Sequence, residues 1–308
     1  MNILPQFLAA ALALAPAALA AQPAPQVILA KAEPWELAPR SDEWRETAAG
    51  IDELLLFVDQ VAAADIEDLR ALAAHAREHG YTFAIELAGL VEWHAIPLYT
   101  AAELSFADEW AKVERLVRPV ESGGAGGYVT SLHFDGPMRR MFYPDGKEVP
   151  NRPVDSTARE VGEVCELWRH ALPDADLYLL VNFPSWGWRG WPAYHDFGHS
   201  TGRLGWGDYE GILTSAVQAA QRSGAPFAGL VVDNPLDYTT GAHVSNQPAE
   251  VVDVDWMARL LELEAAARDQ GLAYRLIVNC EASAIGPGAS DAAYAAATLE
   301  YVERYRAA

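Results

Sequence analysis

The sequence is poor in cysteine, in basic residues and in long apolar runs, and each shortage excludes a class of protein. Two cysteines among 308 residues cannot build a disulfide-rich scaffold or a zinc cluster of thiolates. We interpret Cys165 and Cys280 as small buried side chains, and the alternative is a disulfide between them in an exported protein. The 22 Lys and Arg residues are outnumbered by 43 Asp and Glu residues, which gives a net charge of −21. Because such a chain has no basic surplus to neutralise phosphates, we predict no nucleic-acid partner.

The chain does contain enough apolar material for a sizeable core. It is 51% hydrophobic and 21% charged, and it carries ten Trp, twelve Tyr and nine Phe residues. This composition excludes a disordered protein. A chain of this length would form either two ordinary domains or one α/β barrel of about 250 residues.

The N-terminal end has the pattern of a targeting segment. An apolar run over Phe7–Ala20 ends in Ala18-Leu19-Ala20, which resembles a signal-peptidase site. The alternative is a membrane anchor, but the run is short for a bilayer span and is broken by Pro16. We therefore predict a signal peptide over residues 1–20, a secreted or periplasmic product, and no integral membrane span after cleavage.

Seven short apolar runs each stop at a polar residue, and helical patterns separate most of them. The predicted strands are Val27–Ala30, Leu54–Val58, Tyr81–Ile85, Tyr128–Phe134, Leu177–Val181, Phe227–Val232 and Tyr274–Val278. The predicted helices are Ile66–Gly80, Ala107–Val117, Thr157–Ala171, Tyr209–Gly224, Trp256–Gly271 and Asp291–Arg306. Strands that alternate with helices in this way indicate a parallel sheet.

Two parallel-sheet folds fit this alternation, a doubly wound Rossmann sheet and a barrel. No Gly-x-Gly-x-x-Gly motif follows the first strand, as a dinucleotide-binding Rossmann sheet would require. Polar residues at nearly every strand end suit a barrel, whose active site is built at the carboxyl ends of the strands. We therefore predict an α/β fold of the (β/α)8 TIM type, with residues 21–308 forming a single catalytic domain whose eighth strand we cannot place.

Carboxylates at four strand ends are the main chemical signal. Glu86, Asp135, Asp233 and Glu281 each follow or end an apolar run. Like charges that converge on one rim raise at least one pKa, which provides a proton donor beside an ionised partner. Glycoside hydrolysis needs such a pair of carboxyl groups. The alternative is that single members of this set cap helices or form ion pairs with nearby arginines such as Arg139.

A second set of residues would bind the substrate. Trp186 and Trp188 lie in an aromatic, glycine-rich segment after Asn182, and indole faces are suited to stacking on sugar rings. The alternative is that this loop packs on itself. The full set of predicted binding residues is Asn182, Trp186, Trp188, His195, Trp93, His133, Arg139, Asn234 and Asn279.

The histidines do not indicate a metal site. His195 and His199 are four residues apart, but they lie in a loop that contains Gly198, and no His-Glu-x-x-His motif is present. We predict no metal and no cofactor, and we assign His195 to hydrogen bonding with the substrate or within its loop.

The layout resembles that of the (β/α)8-barrel glycoside hydrolases. The resemblance rests on Phe134-Asp135-Gly136, Val232-Asp233-Asn234 and Asn279-Cys280-Glu281, which follow the fourth, sixth and seventh predicted strands. It implies a catalytic acid after strand four and another after strand six or seven, so Asp135 would act with Glu281 or with Asp233, and Glu86 would support them. The largest clan of these enzymes has Asn-Glu after strand four, where this chain has Phe-Asp. No particular family is indicated.

Two other functions remain open at this point. The chain would be a non-catalytic carbohydrate-binding barrel if the aromatic loop binds sugars and the acids are structural. It would be a metal-dependent hydrolase or lyase if the same acids, with His195 or His199, ligate a metal. Our prediction is an exported glycoside hydrolase that acts on a poly- or oligosaccharide.

Overall fold

The computed structural model describes residues 26–88, 90, 101–142, 153–195, 205–243, 254–280, 286 and 288–308. The strands are β1 (Ile28–Ala30), β2 (Glu53–Phe57), β3 (Thr82–Leu87), β4 (Val129–Asp135), β5 (Asp176–Asn182), β6 (Gly229–Asp233) and β7 (Ala273–Ile277). The helices are α1 (Ser41–Gly50), α2 (Val58–Ala63), α3 (Ile66–His79), α4 (Ala101–Val117), α5 (Pro137–Phe142), α6 (Val154–Ala171), α7 (Tyr209–Arg222), α8 (Leu236–Thr239), α9 (Trp256–Asp269) and α10 (Asp291–Ala307). The predicted signal peptide, Trp93 and Glu281 lie outside the described residues.

The seven strands form one parallel sheet in the order of the chain, from β1 to β7. Among the described residues, one or two helices follow each strand, as the alternation of apolar runs and helical patterns predicts. Parallel neighbours require such crossover connections, because the chain must return to the same end of the sheet before each new strand.

The sheet curls so that its last strand returns toward its first. Arg275 of β7 donates a hydrogen bond to Glu53 of β2 at 3.1 Å and another to Gln26, just before β1, at 2.8 Å. Side chains from opposite ends of a flat seven-stranded sheet would lie too far apart for these contacts. The predicted (β/α) barrel fold is therefore confirmed, with seven strands in the part of the chain that the structure describes.

Alternate residues of each strand face opposite sides of the sheet. The outward residues, such as Leu54 and Leu56 of β2, pack with the helices in the main apolar core. The inward residues include a smaller cluster of Tyr178, Leu180 and Val231. The period of two along a strand therefore decides which side chains reach the interior of the barrel.

The ends of the helices follow the sequence signals closely. Gly80 ends α3 with φ at +82° and its N–H bonded to the carbonyl of Ala76, a conformation that glycine adopts without strain. Sequence analysis did not predict α1 or α2. Because β2 ends at Phe57, Asp59 lies in α2, where it pairs with Lys112 of α4 at 3.4 Å.

The two cysteines are buried and free, as the sequence interpretation expected. Cys165 is packed in α6 within the main core, and Cys280 follows β7. Burial raises the pKa of the Cys165 thiol, so the side chain behaves as an apolar group. Among the described helices, none is both long and apolar enough to cross a membrane.

Candidate active site at the carboxyl ends of the strands

Three acids and one amide stand at the carboxyl ends of four consecutive strands. Asp135, Asn182 and Asp233 are the last residues of β4, β5 and β6, and Glu86 is the next-to-last residue of β3. Each belongs to the inward-facing set of its strand. Asn182 is exposed and the three acids are partly exposed. We call these four residues the rim.

The register places the rim acids at nearly one height around the barrel. Glu86 pairs with His133, two residues before Asp135, and Asp135 pairs with Leu180, two residues before Asn182. Asn182 then pairs directly with Asp233. Strands about 4.8 Å apart that tilt by about 36° need a shift of about one residue per strand to keep one height. The observed shifts therefore keep the rim acids within about one residue of a common level.

Asn182 connects the rim to the loop that follows β5. Its amide donates to Oδ2 of Asp233 at 3.5 Å, and its carbonyl oxygen accepts from the hydroxyl of Ser185 at 2.8 Å. Buried Arg259 of α9 holds this loop by donating to the carbonyls of Phe183 and Trp186. The amide of Asn182 is therefore fixed in a direction that orients the Asp233 carboxylate.

Arg139 stands beside Asp135 on a tight turn. The main-chain N–H of Gly136 donates to the carbonyl of Leu180 at 3.0 Å, and Gly136 has φ at +52°. A Cβ atom at Gly136 would lie 3.7 Å from Cδ of Arg139, so the aliphatic part of the arginine covers this turn. The guanidinium carbon lies 4.6 Å from the centroid of the Trp206 indole. The predicted binding residue Arg139 is thus next to the rim.

A second polar group lies deeper in the barrel. Glu53 of β2 accepts from Ser131 of β4 and from Arg275 of β7, each at 3.1 Å. Arg275 also contacts Nε2 of His133 at 3.0 Å and lies 3.7 Å from the ring centroid of Tyr178. We call Glu53, Ser131, His133 and Arg275 the floor. Its contacts join three strands across the interior.

His133 does not reach the mouth of the barrel, so this sequence prediction is wrong. Its side chain faces inward as predicted, but only 2% of it is exposed. Burial and the Arg275 guanidinium lower the pKa of His133 from 6.5 to about 3. The imidazole is therefore neutral near pH 7 and belongs to the floor.

The predicted roles of Trp186 and Trp188 in sugar stacking are also wrong. The two side chains are 2% and 0% exposed and belong to the main core. The indole N–H of Trp188 donates to Glu262 of α9 at 3.1 Å, and Trp186 packs edge-on against Trp206 at 5.8 Å. The aromatic loop therefore packs on itself, and partly exposed Trp206 is the indole it presents beside Arg139.

Asn234 is buried and does not face the rim, which corrects another predicted binding residue. Its side-chain amide donates to the hydroxyl of Thr239 at 2.7 Å, and its main-chain carbonyl accepts from the Tyr301 hydroxyl at 2.6 Å. These bonds hold the start of α8 against α10. Asn234 is therefore a structural residue of the loop after β6.

His195 lies in an aromatic cluster near the loop after β6. Its ring is 5.2 Å from that of Tyr238 and 5.8 Å from that of His243. Burial, and then the neighbouring His243, lower the pKa of His195 from 6.5 to about 4. A neutral imidazole that is partly exposed fits the predicted hydrogen-bonding role better than a role as a cation.

Of the remaining predicted residues, only Asn279 lies within the described part of the chain. It is partly exposed, and its carbonyl accepts from the N–H of Leu236, which joins the loops after β6 and β7. Glu281, a predicted catalytic residue, and Trp93, a predicted binding residue, lie outside the described residues.

Two further aromatic residues were not predicted. Phe57 ends β2 on the inward face, pairs with Glu86 in the register and is 38% exposed. Tyr294 lies in the first turn of α10 and is 44% exposed, and its pKa is raised by burial, by Cys280 and by Asp233. The alternation of β2 points to Phe57 once the strand end is known, whereas no sequence signal brings α10 toward Asp233.

The rim brings together the kind of side chains that acid–base chemistry uses. Carboxyl side chains at one height can divide the roles of proton donor and of base or nucleophile. In the described part of the chain, no three His, Cys, Asp or Glu residues are arranged to hold a metal ion. A groove of about 580 Å³ lies on the outside of the barrel between α6 and α7, and its lining contains no strand-end residue. We place the candidate site at the rim, because the groove lacks convergent acids.

Comparisons with known proteins identify no family. No protein-family model matches the chain, and no curated protein matches it significantly. A GH10 endoxylanase from a sugarcane soil metagenome superposes with a TM-score of 0.46 and 8% identity, over 82% of this chain and 66% of the endoxylanase. The endo-1,4-β-mannanase of Rhizomucor miehei superposes with a TM-score of 0.48 and 10% sequence identity, over 91% of this chain and 94% of the mannanase. A family 2 AP endonuclease of Brucella melitensis superposes with a TM-score of 0.36 and 14% sequence identity, over 85% of this chain and 82% of the endonuclease. These values are too low to support an argument about activity.

Proposed function

We propose that this protein is an exported glycoside hydrolase whose active site is the rim. The observation that carries the proposal is the set of three carboxyl side chains, Glu86, Asp135 and Asp233, which lie at one end of the barrel and at nearly one height. Hydrolysis of a glycosidic bond needs two such groups, one to protonate the leaving oxygen and one to act at the anomeric carbon.

Asp135 and Asp233 are the pair that the described contacts favour. The amide of Asn182 donates to Oδ2 of Asp233 and so orients a carboxylate that acts as nucleophile or base. Asp135, two strands away, then serves as the general acid. The bond between the anomeric carbon and the bridging oxygen breaks, and the proton of Asp135 goes to that oxygen. The oxygen of a water molecule then bonds to the anomeric carbon. The proton of that water goes to Asp233 if Asp233 acts as base, or to Asp135 if Asp233 first forms a covalent intermediate as nucleophile. Glu86 supports the pair from β3.

Glu281 remains the other candidate partner of Asp135. It lies outside the described residues, and it stays a candidate because sequence analysis predicts a catalytic acid after the seventh strand. Variants distinguish the pair Asp135 and Asp233 from the pair Asp135 and Glu281. Removal of a catalytic carboxyl group lowers kcat far more than removal of a neighbouring carboxyl group does.

The test is reducing-sugar release from a panel of bacterial and plant polysaccharides. We expect Asp135→Asn and Asp233→Asn to lower kcat by about 10²- to 10⁴-fold, the range for loss of general acid or base catalysis. Glu281→Gln would give the same loss if Glu281 is the partner. Asp176→Asn is the matched control, because Asp176 is exposed and begins β5 at the opposite end of the barrel.

Three outcomes would contradict the proposal. They are no release from any glycan by the folded protein, equal activity in all rim variants, and loss of activity in Asp176→Asn as large as in Asp135→Asn. Intact sugar binding without release would favour the non-catalytic carbohydrate-binding barrel. Export is tested on the same preparation, since the mass of the secreted product should correspond to a chain that begins at Ala21.

A further inference from the structure

Arg259 is a buried cation whose charge the described residues leave unpaired. It lies on α9 beneath the loop after β5, and only 1% of it is exposed. Burial lowers the pKa of its guanidinium from 12.5 to about 9, and the carboxylate of Asp208 opposes this shift. The group therefore carries a positive charge at pH 7. In the part of the chain that the structure describes, no carboxylate forms an ion pair with it.

The loop after β5 engages only part of this guanidinium. Nη2 of Arg259 donates to the main-chain carbonyls of Phe183, at 3.1 Å, and of Trp186. Nε and Nη1 are buried as well, but neither has a hydrogen-bond acceptor among the described residues. A buried donor without an acceptor loses its hydration with no return, and the loss is larger when the group is charged. These two nitrogens therefore call for an acceptor that the described chain does not supply.

Aromatic rings lie against the guanidinium. Its central carbon is 4.0 Å from the ring centroid of Phe183 and 5.0 Å from that of Trp256. The indole N–H of Trp256, one turn before Arg259 on the same face of α9, is another buried donor without an acceptor in the described residues. Because the N–H groups of a guanidinium lie in its plane, a ligand of Arg259 would bind at the edge of the group and not against its faces.

Arg275 on the floor shows how the same barrel neutralises another guanidinium. It donates to Glu53 at 3.1 Å, so the cation and the carboxylate compensate each other's lost hydration. The carbonyls and rings around Arg259 offer only partial charges. A water molecule would accept its hydrogen bonds but would bring no negative charge. An anion would supply both.

We propose that Arg259 holds one small monovalent anion, such as chloride, at the N–H groups that the loop carbonyls do not use. The anion is small because the guanidinium is buried among Phe183, Trp256 and the loop after β5. It is monovalent because a single guanidinium balances a single charge, and a protein with a net charge of −21 repels multivalent anions more strongly. This site is distinct from the rim, and the inference does not depend on the proposed function.

The anion would stabilise the loop that begins at the rim amide. The carbonyls of Phe183 and Trp186 accept from the same guanidinium, and this loop starts directly after Asn182. An anion on the remaining N–H groups would restrict Arg259 to the rotamer that holds these carbonyls. Because the unfolded chain has no such site, anion binding should raise the stability of the folded protein.

Thermal unfolding of the protein tests the proposal. Sodium chloride replaces sodium gluconate at constant ionic strength, so that charge screening stays the same while a large anion is exchanged for a small one. We expect the unfolding midpoint to rise along a saturation curve, by about 3–6 °C when the chloride concentration is about ten times Kd. A midpoint that does not change, or that changes linearly without saturation, would overturn the proposal.

Two arginine variants show whether the effect belongs to this site. Arg259→Lys keeps a positive charge but loses the planar N–H groups, so the Kd for chloride should rise at least about tenfold. Arg115→Met is the matched control, because Arg115 also donates to main-chain carbonyls, those of Ala62 and Ala64, but is partly exposed. Its midpoint should depend on chloride as that of the wild type does. An equal chloride dependence in the wild type and in Arg259→Lys would overturn the assignment to Arg259.

Bromide binding to the wild type gives a second readout that requires no variant. Bromide is close to chloride in size and quenches indole fluorescence, and Trp256 lies against the proposed site. Quenching should therefore contain a saturable part that chloride displaces, in addition to the linear quenching of exposed indoles. Linear quenching alone, unchanged by chloride, would mean that water and not an anion satisfies Arg259, and the proposal would fail.

Discussion

Glu53 on the floor and Asp135 on the rim are both carboxyl side chains on the inner face of the same sheet. Glu53 is 4% exposed and is surrounded by donors from Thr130, Ser131 and Arg275. Asp135 is partly exposed at the end of β4, where the interior opens to solvent. Ser131, which donates to Glu53, lies four residues before Asp135 on β4, so about 13 Å along a strand separates the two environments.

The difference shows that an inward acid is not by itself a catalytic signal. On the floor, a carboxylate and a guanidinium satisfy each other and hold strands β2 and β7 together across the interior. On the rim, acids of three strands stand together beside solvent. We therefore expect substitutions on the floor to change stability, and substitutions on the rim to change activity with little change in stability.

The largest expected effect on stability comes from removing the cation of the floor. Arg275→Met leaves the buried Glu53 carboxylate without its ion-pair partner, and breaking a buried pair in this way costs about 3–5 kcal/mol. Urea denaturation followed by tryptophan fluorescence measures the loss. The control is Arg304→Met, because the Arg304–Glu300 pair is about half exposed on α10 and should contribute less than about 1 kcal/mol.

A loss below about 1 kcal/mol in Arg275→Met would contradict this account of the floor. It would mean that the hydrogen bonds from Thr130 and Ser131 are sufficient for Glu53, or that the ends of the sheet are held together by other contacts. The comparison of floor and rim would then rest on exposure alone.

The second effect is a pH dependence of stability that His133 contributes. Its pKa is lowered from 6.5 to about 3 by burial and by Arg275, so between these values the unfolded chain binds a proton that the folded chain does not. Stability is therefore unaffected by His133 above about pH 6.5, and it falls as the pH is lowered toward 3, by at most about 1.4 kcal/mol per pH unit. The groups facing the imidazole are Arg275, Ser131 and Tyr178.

The measurement compares the wild type with His133→Gln, whose carbonyl can still accept from Arg275. We expect the free energy of unfolding of the variant to fall less steeply with acid over this window. His195, whose pKa is lowered to about 4, has an effect of the same sign, but it is present in both proteins and cancels in the difference. Parallel acid profiles for the two proteins would show that His133 is not held neutral in the folded state.

The sequence was sufficient to predict the strands, because burial on both faces leaves short apolar runs that stop at polar residues. The inward direction of His133 also followed from its position two residues before Asp135. Its depth did not, because depth depends on the shift between neighbouring strands. That shift includes an irregularity between β3 and β4, next to Ala84, which no local pattern of residues encodes.

The aromatic loop was not predictable for a different reason. Trp188 is buried under contacts with α9, which lies far away in the sequence. Glu262 of α9, 74 residues later, accepts a hydrogen bond from the indole N–H, and Arg259 of α9 donates to two main-chain carbonyls of the loop. An indole on an open loop and an indole under that loop look alike in sequence. Only the packing of α9 against the loop decides which indoles are buried. The sequence therefore indicated the aromatic cluster correctly, but it did not show which of its side chains are exposed.

The smallest effect on stability is expected from Phe57, which lies next to the rim residue Glu86. This side chain ends β2 on the inward face, in register with Glu86, and is 38% exposed. Because more than a third of its surface stays exposed, Phe57→Ala should cost less stability than truncation of a core phenylalanine, about 1–3 kcal/mol. An exposed ring at the mouth of the barrel can stack on a sugar, so KM should rise about 2- to 10-fold while kcat changes little.

The control is Phe83→Ala in β3, where the phenylalanine is 1% exposed and packs in the main core. This variant should show the opposite pattern, a loss of about 3–5 kcal/mol in the free energy of unfolding with KM unchanged in the folded fraction. If Phe57→Ala instead destabilises the protein as much as Phe83→Ala does and leaves KM unchanged, the end of β2 belongs to the core and not to the substrate site.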